Sequence, residues 1–250
     1  MNTFNPFTLE GKTILVTGAS SGIGKAIAIA CSKMGAKLII TARHKERLQD
    51  TFNQLEGKEH ELILADLAKS EDIDKIVMSV SLLDGLVNCA GFTIPKPFTF
   101  ISKENMVDVM RVNFEAPVFL TQQFVKRKSF AKQASVVFIS SISGVYVSYM
   151  AGSLYSASKG AVNGMVKGMA LELASKNIRV NSVNPAMINT EILSSGVIDE
   201  LQLTEDMKKY PLGRYGEPEE VAYAVIYLLS DASVWVTGSN LLIDGGYTLL

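Results

Sequence analysis

Tyr155 and Lys159 stand four residues apart in the stretch "LYSASKGAVNGMVKGMALELA", at the start of an otherwise apolar, small-residue segment. On a helix that spacing stacks the two side chains on one face. A free phenol has a pKa of about 10, too high for an efficient acid or base at neutral pH. An ammonium one turn away favours the phenolate, so the pair reads as a proton donor whose pKa the lysine lowers. The plainer reading is a core tyrosine packing on a lysine stem. Ser141 directly follows the apolar run "SVVFIS", where its hydroxyl could hold the oxygen of a substrate that Tyr155 protonates. Asn113 is polar among the apolar residues of "MRVNFEAPVF". It either anchors a water leading to Lys159 or kinks a helix.

A second constellation lies near the N-terminus. "TGASSGIGKAIAIA" places Gly18, Gly22 and Gly24 between an apolar run and a helical one. A helix that opens there points its free N–H groups and positive dipole end into the turn. A pyrophosphate is stabilised at such an end when glycine lets the backbone approach, and Ser20 and Ser21 add hydroxyl donors. The spacing G-x-x-x-G-x-G differs from the usual G-x-G-x-x-G, but its strand-to-helix context is the informative part. The next run, "LIITARHKERL", lacks the carboxylate that NAD-binding sheets place there to hold the ribose hydroxyls. Arg43 follows instead, with Lys45 and Lys25 nearby. A guanidinium suits a 2′-phosphate by charge and bidentate geometry, so NADP(H) is favoured over NAD(H). Asp66 in "ILADL" is either an acceptor for the adenine amino group or a helix cap.

Elements of alternating type must hold these residues. Short β-branched runs at Thr13, Lys37, Glu61, Gly85, Ser135, Ile178 and Asn240 read as strands buried on both faces. Helical stretches separate most of them, two of them long, at about 103–128 and 155–176. Strand and helix in alternation predict a doubly wound parallel α/β sheet, and with no repeat or linker the chain reads as one domain. The segment from Met187 to Lys209 breaks the rhythm. Lying after a strand's C-terminal end, it reads as a substrate lid over about 187–210, made apolar by Met187, Ile188, Ile192, Leu193, Val197 and Ile198.

Of 250 residues, 24 are basic and 25 acidic, and no charge block exceeds "FVKRKSF". Neither a nucleic acid nor an anionic membrane is an evident partner. From Gln133 to Ser158 the chain carries no charge, but eight serines and two glycines argue against a membrane span. Cys31 and Cys89 sit in apolar runs without zinc or disulfide spacing, which suggests a reducing cytoplasmic compartment. The opening residues lack the pattern of a signal peptide. No metal site is expected.

Taken together, "TGASSGIG", "NCAG" from Asn88, Asn113, Ser141, "YSASK" and "IDGGY" resemble the short-chain dehydrogenase/reductase family along essentially the whole chain. The tail "YPLGRYGEPEEVAYAVIYLLSD" is similar to that of the beta-ketoacyl-carrier-protein reductases. The resemblance implies a Rossmann-type fold of about seven parallel strands. It also implies a tetrad of Asn113 ordering water, Ser141 orienting the carbonyl, Tyr155 as acid/base and Lys159 on the nicotinamide ribose. The cofactor-binding set it implies is Gly18, Ser20, Ser21, Gly22, Ile23, Gly24, Arg43, Asp66, Leu67, Asn88, Ala90, Gly91, Tyr155, Lys159, Pro185, Ile188 and Thr190. A homotetramer is also implied, paired through the two long helices and the C-terminal strand. Cys89 replaces the family's second asparagine, and Pro185-Ala186 replaces Pro-Gly.

Three functions fit these expectations. One is NADPH-dependent reduction of a 3-oxoacyl thioester or similar small-molecule carbonyl, with Lys126, Arg127, Lys128 and Lys176 available to an acidic carrier protein. Another is oxidation of a sugar, polyol or steroid alcohol. The third, a nucleotide sensor without turnover, leaves the Tyr155–Lys159 pair without a purpose.

Overall fold

The computed structural model describes residues 4–190 and 200–249. Seven strands, β1 (Thr13–Thr17), β2 (Lys37–Ala42), β3 (Glu61–Leu64), β4 (Leu83–Asn88), β5 (Phe130–Ile139), β6 (Arg179–Pro185) and β7 (Asn240–Ile243), form one sheet. They lie in the order β3-β2-β1-β4-β5-β6-β7 and every pairing is parallel. Helices α1 (Gly22–Lys33), α2 (Lys45–Phe52), α3 (Ser70–Ser79), α4 (Lys103–Met110), α5 (Ala116–Lys126), α6 (Ser153–Leu173), α7 (Glu200–Met207) and α8 (Pro218–Leu229) complete the described elements.

Successive strand residues point to opposite faces, and the core divides accordingly. Ile14 and Val16 of β1 pack with Ile27 of α1 and Val221 and Val225 of α8. Leu15 faces the other way, with Ile76 of α3, Leu120 and Phe124 of α5 and Val166 of α6. β6 is buried throughout although it reads "RVNSVNP". Most of its polar groups are matched in place, the buried Arg179 Nε excepted: Asn181 Nδ2 donates to the Val236 carbonyl at 3.0 Å and its Oδ1 accepts from Ser239 N at 3.0 Å. Unmatched, such groups would each cost about 1–3 kcal/mol.

The stretch expected as one helix over 103–128 contains a π turn at Arg111–Glu115 between α4 and α5. Pro117 is the physical reason. It has no N–H to give the Asn113 carbonyl, and its ring crowds that carbonyl, so the ladder widens by one residue.

The chain runs outward from β1 through β2 to β3, then returns to β4 on the other side of β1. The crevice at that switch point, above the C-terminal strand ends, is where open α/β sheets bind ligands. Of the lid expected over 187–210, residues 191–199 lie outside the described residues. α7 follows them, and Tyr210, Tyr215 and Tyr247 form a small separate core that also holds Leu203 and Met207.

Candidate active site

β1 delivers its chain into the glycine turn at the crevice. Gly18 has φ +68, and a side-chain carbon there would stand 2.8 Å from the Ala90 backbone, at the end of β4. At Gly24 the same carbon would run into the Gly18 carbonyl oxygen. The turn is thus closed by backbone on backbone, which only glycine permits at these two points. Ser21 is the N-cap of α1 but its hydroxyl caps nothing, and the first turn of the helix carries no acid. Free N–H groups, uncommitted hydroxyls and a positive dipole end fit an anionic group here. Thr190, from the segment after β6, comes within 3.4 Å of where a Gly22 side-chain carbon would lie. The residues expected at both ends of a dinucleotide therefore line one crevice.

α6 positions the second group. Its first turns carry Tyr155 and Lys159 on one face, and Lys159 Nζ lies 5.6 Å from the centre of the Tyr155 ring. Lys159 is 5% exposed, and its ammonium donates to the Ile139 carbonyl at 2.7 Å. Among the described residues no carboxylate comes within ion-pair distance of it. Burial lowers its pKa to about 8. A buried ammonium with two N–H groups to spare fits the hydroxyls of a ribose.

Tyr155 departs from expectation. Burial dominates its titration and raises its pKa to about 12, against the hydrogen bond from Ser141 that lowers it. The lysine-lowered phenol read from the sequence is therefore corrected for the free protein, where desolvation of the phenolate is the largest effect. Ser141 is buried at the end of β5, with its Oγ also accepting from Ser143 N at 3.1 Å. Desolvation pushes the Cys89 thiol up to about 12, which disfavours its thiolate.

Asn113 sits in the π turn with both ends of its amide engaged. Oδ1 accepts from Phe92 N at 2.9 Å, while Nδ2 donates to the Phe92 carbonyl at 2.8 Å and to Ser158 Oγ at 3.1 Å. It grips the loop after β4 as a paired strand would. A side-chain carbon on Gly91 would lie 3.2 Å from Asn113 Oδ1 and 3.6 Å from Lys159 Nζ. The fold thus gathers Gly91, Asn113, Ser141, Tyr155 and Lys159 at one place.

The other expected site residues are held in different ways. Leu67 and Ile188 are buried in the core, and Ile23 and Ala90 pack against it, so these four offer a ligand mainly their backbone. Asp66 Oδ1 accepts from Ala68 N at 3.1 Å, and its Oδ2 has no partner among the described residues. Asn88 Nδ2 donates to Thr121 Oγ1 at 3.2 Å, which leaves its buried Oδ1 unpaired. Pro185 ends β6 against Ile243. Arg43 is exposed, without a hydrogen bond or ion pair among the described residues.

Sequence reasoning missed Asn163, one turn beyond Lys159 on α6. Its Nδ2 donates to the Lys159 carbonyl at 3.0 Å and to Ser140 Oγ at 2.9 Å, and Ser182 Oγ donates to its Oδ1 at 2.9 Å. The signal available was a lone amide four residues after the lysine on a helix otherwise apolar at that face.

A family model described as enoyl-(acyl carrier protein) reductase matches residues 18–248. A 3-oxoacyl-[acyl-carrier-protein] reductase of Thermotoga maritima is 36% identical, over 96% of this chain and 99% of its own length. A tropinone reductase homolog of Arabidopsis thaliana is 34% identical, over 100% of this chain and 97% of its own. Among solved structures, one from Beutenbergia cavernae, described as an NAD(P)-dependent gluconate 5-dehydrogenase with bound NADP, superposes with a TM-score of 0.88. It is 30% identical and covers 98% of this chain and 100% of its own. The glycine turn, the Tyr155–Lys159 face of α6 and these matches over nearly the full length agree: the chain belongs to the short-chain dehydrogenase/reductase family of NAD(P)(H)-dependent oxidoreductases.

Proposed function

We propose that this protein is an NADPH-dependent reductase of a 3-oxoacyl thioester or a closely similar ketone, with Tyr155 as the proton donor. The single observation that carries this reading is the half-buried Tyr155 phenol on the face of α6 that also holds Lys159, whose Nζ lies 5.6 Å from the ring centre. That phenol is the group placed to give a proton to a carbonyl oxygen as hydride reaches its carbon.

Each residue of the chain then has a task. Ser141 holds the substrate carbonyl oxygen by its hydroxyl. Tyr155 protonates the same oxygen as it gains charge. Lys159 grips the ribose hydroxyls and, as a cation, stabilises the phenolate that Tyr155 leaves behind. Asn113 fixes the loop that carries Gly91 beside Lys159. A nicotinamide dinucleotide, held at the glycine turn and at Thr190, supplies the hydride.

The preference for NADP(H) rests on Arg43, exposed at the end of β2 with its guanidinium uncommitted among the described residues. Exposed Met106, Val107 and Phe119 on α4 and α5, and Leu171 on α6, support a homotetramer paired through these helices. The unpaired Cys31 and Cys89 support a reducing, cytoplasmic setting. The apolar segment over about 187–210 is read as the lid. No helix among the described residues is long and apolar enough to cross a membrane.

A titration of wild type and Arg43→Ala with NADPH and NADH, followed by nicotinamide fluorescence, tests the cofactor. Loss of a charged hydrogen bond predicts NADPH binding weakened roughly 10- to 100-fold, with NADH unchanged. Equal affinity for the two nucleotides in the wild type removes the Arg43 argument.

A further inference from the structure

The loop between β5 and α6 carries a second tyrosine that the tetrad does not use. Tyr149 is 45% exposed, and its ring lies flat against Gly152, the residue that opens α6. A side-chain carbon on Gly152 would meet three atoms of that ring at 2.5–2.7 Å. The ring is therefore placed by backbone three residues before Tyr155. Its neighbour Ala151 has φ +64, an unusual conformation for a residue with a side chain, and its carbonyl accepts from Lys96 N at 3.0 Å. The loop after β4, gripped by Asn113 at Phe92, reaches Tyr149 at its next residue, Thr93.

The Tyr149 hydroxyl has little to hold it. Among the described residues its one hydrogen-bond contact is with Thr93 Oγ1 at 3.5 Å, well beyond the usual 2.7–2.8 Å of a hydroxyl bond. It also lies near enough to Tyr155 for its charge to oppose ionisation there. A carbonyl oxygen has two lone pairs. Ser141 and Tyr155, as the two hydroxyl donors of the proposed reaction, take both on the reacting oxygen. A third hydroxyl donor beside them must therefore address a different oxygen of the same substrate.

We infer that Tyr149 is a specificity residue whose phenol donates a hydrogen bond to the second carbonyl of a 1,3-dicarbonyl substrate, the first being the one reduced. The assignment rests on the ketoreductase reading and narrows it: a ketone without a neighbouring carbonyl leaves Tyr149 idle.

The test compares ethyl acetoacetate with 2-hexanone, a ketone of similar length lacking the ester, in wild type and Tyr149→Phe. The variant keeps the ring on Gly152 and removes only the hydroxyl. Its kcat/KM for the dicarbonyl is expected to fall roughly 5- to 10-fold, the worth of one neutral hydrogen bond, and that for the simple ketone to stay within about twofold. Gly152→Ala, which pushes the ring aside without removing the phenol, should show the same selective loss. Equal loss on both ketones, or no loss, overturns the assignment. Should the wild type reduce neither compound, the thermal shift each gives the NADPH-loaded protein decides separately. A shift with the dicarbonyl alone, absent in Tyr149→Phe, keeps Tyr149 in its role while the reductase reading falls. No such difference overturns Tyr149 as well.

Discussion

Replacing Lys159 with methionine should make the free protein more stable while removing its activity. The side chain is 5% exposed and its ammonium has one carbonyl partner and one aromatic face. Burial lowers its pKa from 10.5 to about 8, so below pH 8 the folded chain carries a proton it holds more weakly than the unfolded chain does. Converted at about 1.4 kcal/mol per pKa unit, the charged form costs the fold roughly 3 kcal/mol at pH 7. Methionine keeps the stem but loses the Ile139 bond and the ring contact, which together return about 1–2 kcal/mol. The net gain is about 1–2 kcal/mol, or roughly 2–8 °C in Tm for a chain of this size. The sign with pH follows from a lowered lysine pKa. Between about 8 and 10.5 the unfolded chain binds the proton and the folded chain does not, so wild-type stability from this group rises with pH. Thermal unfolding followed by circular dichroism, without nucleotide, should show the variant ahead at pH 7 and the gap closing by pH ~10. A variant no more stable than wild type at pH 7, or an advantage independent of pH, would refute the argument that this ammonium is held at the fold's expense for a ligand.

Two further outcomes follow from the same geometry. Asn113→Ala leaves the half-buried Phe92 peptide without either partner, at about 1 kcal/mol for each group where water can partly replace the amide. Amide exchange of residues 91–93 should accelerate, while that of β1 and β4 stays slow. Nucleotide binding that uses the Lys159 ammonium should weaken as pH rises through about 8, the value burial gives that group. A fluorescence titration flat from pH 7 to about 9.5 would take the ammonium out of ribose binding.

The sheet was legible because its central strands are apolar runs buried on both faces, and each strand starts within a few residues of its expected position. The glycine turn was legible for a similar reason: Gly18 and Gly24 stand where no side chain fits. What stayed hidden depended on contacts far apart in sequence. The titration of Tyr155 is set by how deeply α6 packs, which neither Tyr155 nor Lys159 encodes. Asn113 was placed correctly near the site, yet its grip on Phe92 needed the π turn. Pro117, four residues on, was the unread signal for that turn. Asp66, read as ligand acceptor or helix cap, closes a turn on Ala68 with one carboxylate oxygen, a local bond that short carboxylates favour. Residues 191–199, on which the apolar lid reading largely rests, are outside the described part of the chain.

Tyr155→Phe, assayed with NADPH deuterated at the transferring position and an acetoacetyl thioester, tests the central claim most directly. Wild type should place deuterium on the carbinol carbon. The variant should bind NADPH unchanged and react roughly 10²- to 10⁴-fold more slowly, the usual contribution of a general acid. Turnover undiminished in Tyr155→Phe, or product without deuterium at that carbon, would contradict it.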